Sequence, residues 1–173
     1  MDDILFNLFT LTFLFILLIF LVYFRSEAKH RERILEMEQR LSKAGIYDID
    51  QMKGIEFEQY LAVLFKRLGY RVKSTPGSND YGADLILENG AERLVIQAKR
   101  YKNKVGIKAV QEINSAKAYY NAQEGWVITN NYFTSSAINL AQSANIKLIN
   151  RNELVDLILR VNGTTSEENV VSN

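Results

Sequence analysis

Asp84 opens a stretch, 84–88, that reads as a strand, and after the turn residues Asn89-Gly90 the stretch 93–99 reads as its hairpin partner. Gln97 and Lys99 lie two residues apart on that partner, so the strand period points both side chains to one face. A carboxylate, an amide oxygen and an ammonium converge there. Packing does not account for them, because Leu94, Ile96 and Ala98 already supply an apolar face and a lysine in a central strand is costly without a partner. Metal-assisted phosphodiester hydrolysis does. In that chemistry Asp84 holds Mg2+ through few protein ligands and several waters, while Lys99 orients or helps deprotonate the attacking water and offsets charge on the scissile phosphate. The chain has no Cys and one histidine, His30, which excludes thiolate catalysis and cysteine-held zinc and leaves oxygen as the ligand for any metal.

The surrounding pattern predicts the elements that must position these groups. Phe57, Leu61, Leu64, Phe65 and Leu68 recur at helical spacing and Gly69 closes the run, giving a helix over about 55–68. A strand follows over 70–74, ended by the turn Pro76-Gly77-Ser78-Asn79, and then comes the hairpin. Beyond it lie a helix over 107–121, a strand over 126–129, a helix capped by Thr134 and reaching Ala144, and a strand over 146–149. Asn150 or Asn152 can cap a last helix ending near Arg160. The order α-β-β-β-α-β-α-β-α, a hairpin followed by βα alternation, predicts an α/β fold with a mixed sheet and helices on both faces. Thr129, Asn130 and Asn131 read as a strand end and turn cap. Asp80 reads equally as a turn residue capping local N–H groups or as a site residue, and Gly82 as a backbone requirement.

A net charge of +1 conceals an uneven distribution. Between Arg93 and Lys108 stand Lys99, Arg100, Lys102 and Lys104 with no acid among them, interleaved with Tyr101. Such a cluster beside the proposed site suits a nucleic-acid backbone, with Arg100, Lys102, Lys104 and Lys108 as its contacts; the alternative is a solvated basic loop.

Residues 4–24 contain no charged side chain, and a helix of that length just spans a hydrocarbon core of roughly 30 Å. The segment 1–24 is therefore expected to be an uncleaved transmembrane anchor, since it starts with Asp2 and Asp3 and runs straight into Arg25. Arg25, Lys29, Arg31 and Arg33 place the remainder of the chain in the cytoplasm, as a single-pass protein of the cell membrane. Residues 25–46 read as a juxtamembrane helix and linker. Within it Ile34, Met37 and Leu41 form a short stripe that could support a homodimer or pack on the adjoining domain, and the basic residues could touch lipid headgroups. Residues 47–161 form the soluble domain, and the polar stretch 162–173 reads as a disordered tail.

Gly54-Ile55-Glu56-Phe57-Glu58, Leu68-Gly69-Tyr70, Asp80-Tyr81-Gly82-Ala83-Asp84, Val95-Ile96-Gln97-Ala98-Lys99-Arg100-Tyr101, Val127-Ile128-Thr129-Asn130 and Tyr132-Phe133-Thr134 together resemble the Mrr-type restriction endonuclease catalytic domain of the PD-(D/E)xK superfamily, over about 47–158. The resemblance implies a restriction-endonuclease-like αβββαβ core and cleavage of DNA with Mg2+. It matches Asp84 to the metal-binding acid, Lys99 to the catalytic lysine, and Gln97 to the position where most of the superfamily has Asp or Glu. A neutral amide holds Mg2+ weakly, so another acid is needed; Glu58 matches the family's additional acid and would join Asp84 and Gln97 at the metal, while Glu56 reads as solvated. Gln111 falls where the family often has Gln, and is either a polar contact near the site or an ordinary helix-surface residue. Ala83 departs from the superfamily's proline. The resulting expectation is a membrane-anchored DNA endonuclease acting in foreign-DNA restriction or DNA maintenance; the alternative is a tethered nucleic-acid-binding module without catalysis. Residues 25–53 are too few and too helical for a base-reading domain.

Overall fold

A computed structural model describes residues 2–75 and 81–171, so the turn at Pro76-Gly77-Ser78-Asn79 and Asp80 lie outside the described residues. The chain divides into two units, Met1–Arg40 and Leu41–Asn173. The first belongs to one continuous helix, α1 (Asp2–Ser42), so the expected span and juxtamembrane helix are a single element. Within it Leu11–Lys29 is long and apolar enough to cross a membrane, and none of that window is buried. The side chains of Ile34, Met37 and Leu41 are outside the described set.

The second unit opens with α2 (Ile46–Gln51), a short helix that the sequence pattern does not signal, held at its start by the Gly45 N–H donating to Asp48 Oδ2 at 2.8 Å. α3 (Gly54–Arg67) comes next. Its capping acid is Glu56, which accepts the Lys53 N–H at 2.7 Å, so Glu56 is a helix-start residue and not simply solvated. Gly69, at φ +87°, then turns the chain into β1 (Arg71–Ser74).

β2 (Leu85–Asn89) and β3 (Glu92–Lys99) form the expected hairpin, and β4 (Glu124–Thr129) and β5 (Lys147–Ile149) complete a five-stranded sheet in the order β1-β2-β3-β4-β5. The first two pairings are antiparallel and the last two parallel. Parallel neighbours need crossovers, supplied here by α4 (Ile107–Tyr119) and α5 (Ser135–Ala144). Thr134 caps α5 as expected, its side chain accepting the Ala137 N–H at 3.2 Å.

Strand alternation sorts the core into two layers. Leu85, Leu87, Leu94, Ile96 and Ala98 pack with Phe57, Leu61 and Phe65 of α3 and with Leu154 and Ile158 of α6 (Arg151–Val171). Val95 and Val127 pack on the other face with Ala109, Val110 and Ile113 of α4 and Ala137 and Ala141 of α5. The start of α6 is tied by Asn150, whose Oδ1 accepts the N–H groups of Asn152 and Glu153 at 2.9 and 3.3 Å. The helix runs on to Val171, past Arg160, where the sequence pattern ends it and a disordered tail was expected; within 162–171 the backbone is helical.

One polar knot joins three elements distant in sequence. Asp50 of α2 accepts both Arg151 Nη1 and Nη2 at 2.8 Å, and its Oδ1 also accepts Asn130 Nδ2 at 2.8 Å. Arg151, hydrogen-bonded to Asp50, holds that carboxyl below its ordinary 3.8, and Asn130 adds to the effect. A depressed carboxyl stabilises the fold above its unfolded value and loses that contribution as pH falls through its folded one. Asp50→Asn is therefore expected to cost about 1–3 kcal/mol at neutral pH. Urea midpoints of wild type and variant should differ at pH 7 and converge as pH falls well below the ordinary carboxyl value of 3.8. A gap unchanged in acid would show that the charge on Asp50 is irrelevant.

Candidate active site

Asp84 is the last rung of the β2–β3 ladder. Its N–H donates to the Ile96 carbonyl at 2.8 Å, one step beyond β2, while the Thr75 N–H donates to its carbonyl at 3.0 Å from the β1 side. The backbone is thus gripped from both neighbouring strands, and the side chain arrives opposite Gln97. β2 has ended there, leaving the Ala98 N–H without a ladder carbonyl, and Asp84 Oδ2 takes its place at 2.7 Å. The same oxygen accepts Gln97 Nε2 at 2.5 Å, and Gln97 is only 5% exposed. Sequence reasoning thus placed Asp84 and Gln97 together, and the structure brings them into contact.

Lys99 lies on the same face as Gln97, but its ammonium goes to α4. Lys99 Nζ lies 2.9 Å from Glu112 Oε2, both side chains being largely covered. Glu112 Oε2 is buried with no hydrogen-bond partner, so the Lys99 ammonium is what offsets its charge. Lys108 sits 3.9 Å from the other oxygen. Glu112 is the residue that the motif reading missed. Its signal was present in the spacing: Ala109, Glu112 and Ala116 fall three and four residues apart, which places an acid in line with two buried small residues on the sheet-facing side of α4. Gln111, the neighbour singled out instead, is exposed, and its carbonyl accepts Ser115 Oγ at 3.0 Å.

Gly82 explains how α4 can come so near. It adopts φ +91°, and a Cβ there would lie 2.7 Å from both Cβ and the carbonyl oxygen of Glu112. Tyr81, at φ 52°, stacks on Tyr119 of the same helix with ring centroids 3.7 Å apart. The approach to Asp84 is therefore latched onto α4 at two points, one turn of which carries Glu112.

The remaining expected residues are spread more widely. Glu58 is half-buried on α3, whose apolar side belongs to the opposite core layer. Among the described residues no three His, Cys, Asp or Glu side chains gather as a metal-holding group. Arg100 is half-buried, whereas Lys102, Lys104 and Lys108 are exposed. Thr129 and Asn130 do more than end β4: buried Thr129 donates to the Lys99 carbonyl at 2.6 Å, and Asn130 Oδ1 accepts the Tyr101 N–H at 2.9 Å. Nothing in the sequence links Asn130 to Asp50 and Arg151, which are far apart in the chain.

The donors at Asp84 suit a hard cation. A carboxylate, the amide of Gln97, which presents its oxygen when turned over, and the nearby Glu112 carboxylate are all oxygen ligands, as Mg2+ prefers and zinc does not.

A family model for the restriction endonuclease Mrr catalytic domain matches residues 49–158. The chain belongs to the Mrr catalytic-domain family. A curated relative, the type IV methyl-directed restriction enzyme EcoKMrr of Escherichia coli strain K12, is 28% identical over 137 residues. The match covers 74% of this chain but 45% of EcoKMrr, so the chain spans under half the length of that relative. Two solved structures share the fold. The DNA modification-dependent restriction endonuclease AspBHI aligns at TM-score 0.54 and 23% identity, over 74% of this chain and 36% of its own. AF1548, a protein of unknown function, aligns at TM-score 0.50 and 21% identity, over 60% of this chain and 63% of its own. The mixed sheet with flanking helices is thus the restriction-endonuclease-like architecture, and the homologous enzymes are hydrolases that cut DNA. Enzymes of this superfamily usually use a divalent metal.

The close approach at Gly82 gives a direct test. Gly82→Ala combines a left-handed backbone with a clash against α4 and is expected to destabilise the chain by more than about 1 kcal/mol, on the order of the larger core effects. Gly54→Ala, where a Cβ meets nothing within 4 Å, should be neutral or slightly stabilising. Equal denaturant midpoints for the two variants would contradict the packing of this loop on α4.

Proposed function

We propose that the chain is a membrane-anchored, Mg2+-dependent DNA endonuclease whose catalytic domain lies in the cytoplasm. The observation that carries this reading is the Asp84 carboxylate held against Gln97 and the Ala98 N–H, on the sheet face that also presents Lys99. Asp84 and Gln97 would hold the metal, with further negative charge from Glu58, as the family resemblance implies, or from Glu112, as its position supports. A bound Mg2+ supplies Lewis-acid polarisation of the scissile phosphate and a more acidic water. Lys99 offsets the charge developing on the phosphate, and Glu112 keeps its ammonium oriented over the site. Arg100, Lys102, Lys104 and Lys108 attract the DNA backbone without reading sequence. Foreign-DNA restriction or DNA maintenance is the setting in which a nuclease of this family fits.

Plasmid cleavage by the detergent-solubilised full-length chain tests the reading. Mg2+ should be required, and Asp84→Ala and Lys99→Ala should each lower the rate by about 100-fold or more while leaving DNA binding largely intact. A Mg2+ titration of Glu58→Gln and Glu112→Gln identifies which acid shares the ion: that variant alone should need more metal, and Gln97→Glu should partly rescue it. Binding without cleavage under all metal conditions would leave the tethered binding module as the reading.

The anchor is tested separately. Full-length protein should remain in the membrane pellet after alkaline extraction, and a reporter fused to the C-terminus should be active only if it is cytoplasmic. Recovery in the soluble fraction without detergent would remove the anchor from the reading.

A further inference from the structure

A cavity of about 340 Å³ opens at the C-terminal ends of β3 and β4, on the α2 and α6 side of the sheet. Most of its polar lining is already committed. Asn130 spends its amide oxygen on the Tyr101 N–H and its amide nitrogen on Asp50. Asn131 accepts the Tyr132 N–H at 2.8 Å and donates to the Lys102 carbonyl at 2.9 Å. Arg151 and Asp50 neutralise one another through two contacts of 2.8 Å. Two cations are left over. Arg100 is half-buried with its Nε covered and without a hydrogen-bond partner, and Lys102 is exposed; among the described residues neither is in an ion pair.

Arg100 also lies within electrostatic reach of Asp50, but the lining carries three cations, Arg100, Lys102 and Arg151, against that one acid, so the cavity offers a guanidinium fork and an ammonium with net positive charge over a fixed floor. That suits an anion with several oxygens rather than a base edge, because the amides that could read a base are in use. Its place fits as well. Arg100 comes directly after Lys99, and strand alternation sends the two side chains to opposite faces of the same sheet edge. A DNA strand laid across the ends of β3 and β4 passes both faces, so it can meet Lys99 with one phosphate and this cavity with another close by. Ligand sites at the carboxyl ends of parallel strands obey the same geometry.

We propose that this cavity seats a backbone phosphate of the DNA near the scissile one, held by Arg100 and Lys102, with Asp50, Asn130 and Arg151 as positioning residues. The inference rests on the nuclease reading and deepens it, by dividing the basic cluster into a seat for one phosphate and, at Lys108, an outlying contact on α4.

The test is fluorescence anisotropy of a labelled duplex of about 20 base pairs, long enough to span the site, with the solubilised full-length chain in EDTA across a KCl series, and with plasmid cleavage in Mg2+ run alongside. Arg100→Gln should reduce the slope of log Kd against log salt by about one, and Lys102→Gln should do little more in that background, since both serve one phosphate. Lys108→Gln should add its effect to Arg100→Gln in full, being at a separate place. Arg100→Lys, which keeps the charge and loses the fork, should recover most of the slope but only part of the affinity, and it serves if the Gln variant folds poorly. Wild-type protein that binds and cleaves DNA while Arg100→Gln retains its affinity and slope would overturn this inference alone, as would full additivity of Arg100→Gln and Lys102→Gln. Wild-type protein that binds no DNA would overturn the nuclease reading with it.

Discussion

The domain turns on a register problem solved at Asp84. A strand that stops short of its partner leaves a backbone N–H with no carbonyl opposite, and a buried orphan donor costs roughly 1–3 kcal/mol. Here that donor is Ala98 N–H, and the replacement acceptor is a side-chain carboxylate. The same substitution that completes the sheet therefore fixes a negative charge at its edge, beside the amide of Gln97. Fold completion and site formation are one event. The antiparallel pairing of β2 and β3 and the parallel pairing of β3 and β4 make the edge available, because β3 and β4 stop in step at Lys99 and Thr129.

Around that edge the cations are handled in two ways. Lys99 and Arg151 each face an acid, Glu112 and Asp50 respectively, at 2.9 and 2.8 Å. Both pairs are partly covered, which raises the Coulombic attraction and also the penalty for losing one partner. Arg100, Lys102 and Lys104 are in no ion pair among the described residues, although Arg100 feels the charge of Asp50 at longer range. The result is a surface on which some positive groups are pinned as parts of the framework and others keep their charge for an incoming polyanion.

Much of this was legible in the sequence, for identifiable reasons. The apolar periodicity of Phe57, Leu61, Leu64 and Phe65 and the alternation of Leu94, Ile96 and Ala98 record burial, so the helix, the hairpin and the face carrying Gln97 and Lys99 could be read directly. Boundaries moved by one or two residues where capping decides them, as at Glu56. What could not be read is what depends on pairs distant along the chain. Asp50 and Arg151 carry no local pattern, and α2 is too short to establish a period. Glu112 was available from helical spacing, but the neighbouring Gln111 drew attention through the family pattern. Gly82 was rightly read as a backbone requirement, although the sequence could not reveal that the requirement is imposed by α4 as well as by its own φ.

β3 is the middle strand of five and is buried from Leu94 to Ala98. Amides in such strands exchange with solvent only when the whole cooperative unit opens, whereas loops and helix ends exchange by local fluctuation. The side chain of Asp84 is bonded to one of these slow amides, so the site sits on the boundary between the most and the least protected parts of the domain. The carboxylate is thus held by the slow part of the domain, while Glu112 and its hold on Lys99 belong to α4, outside that ladder.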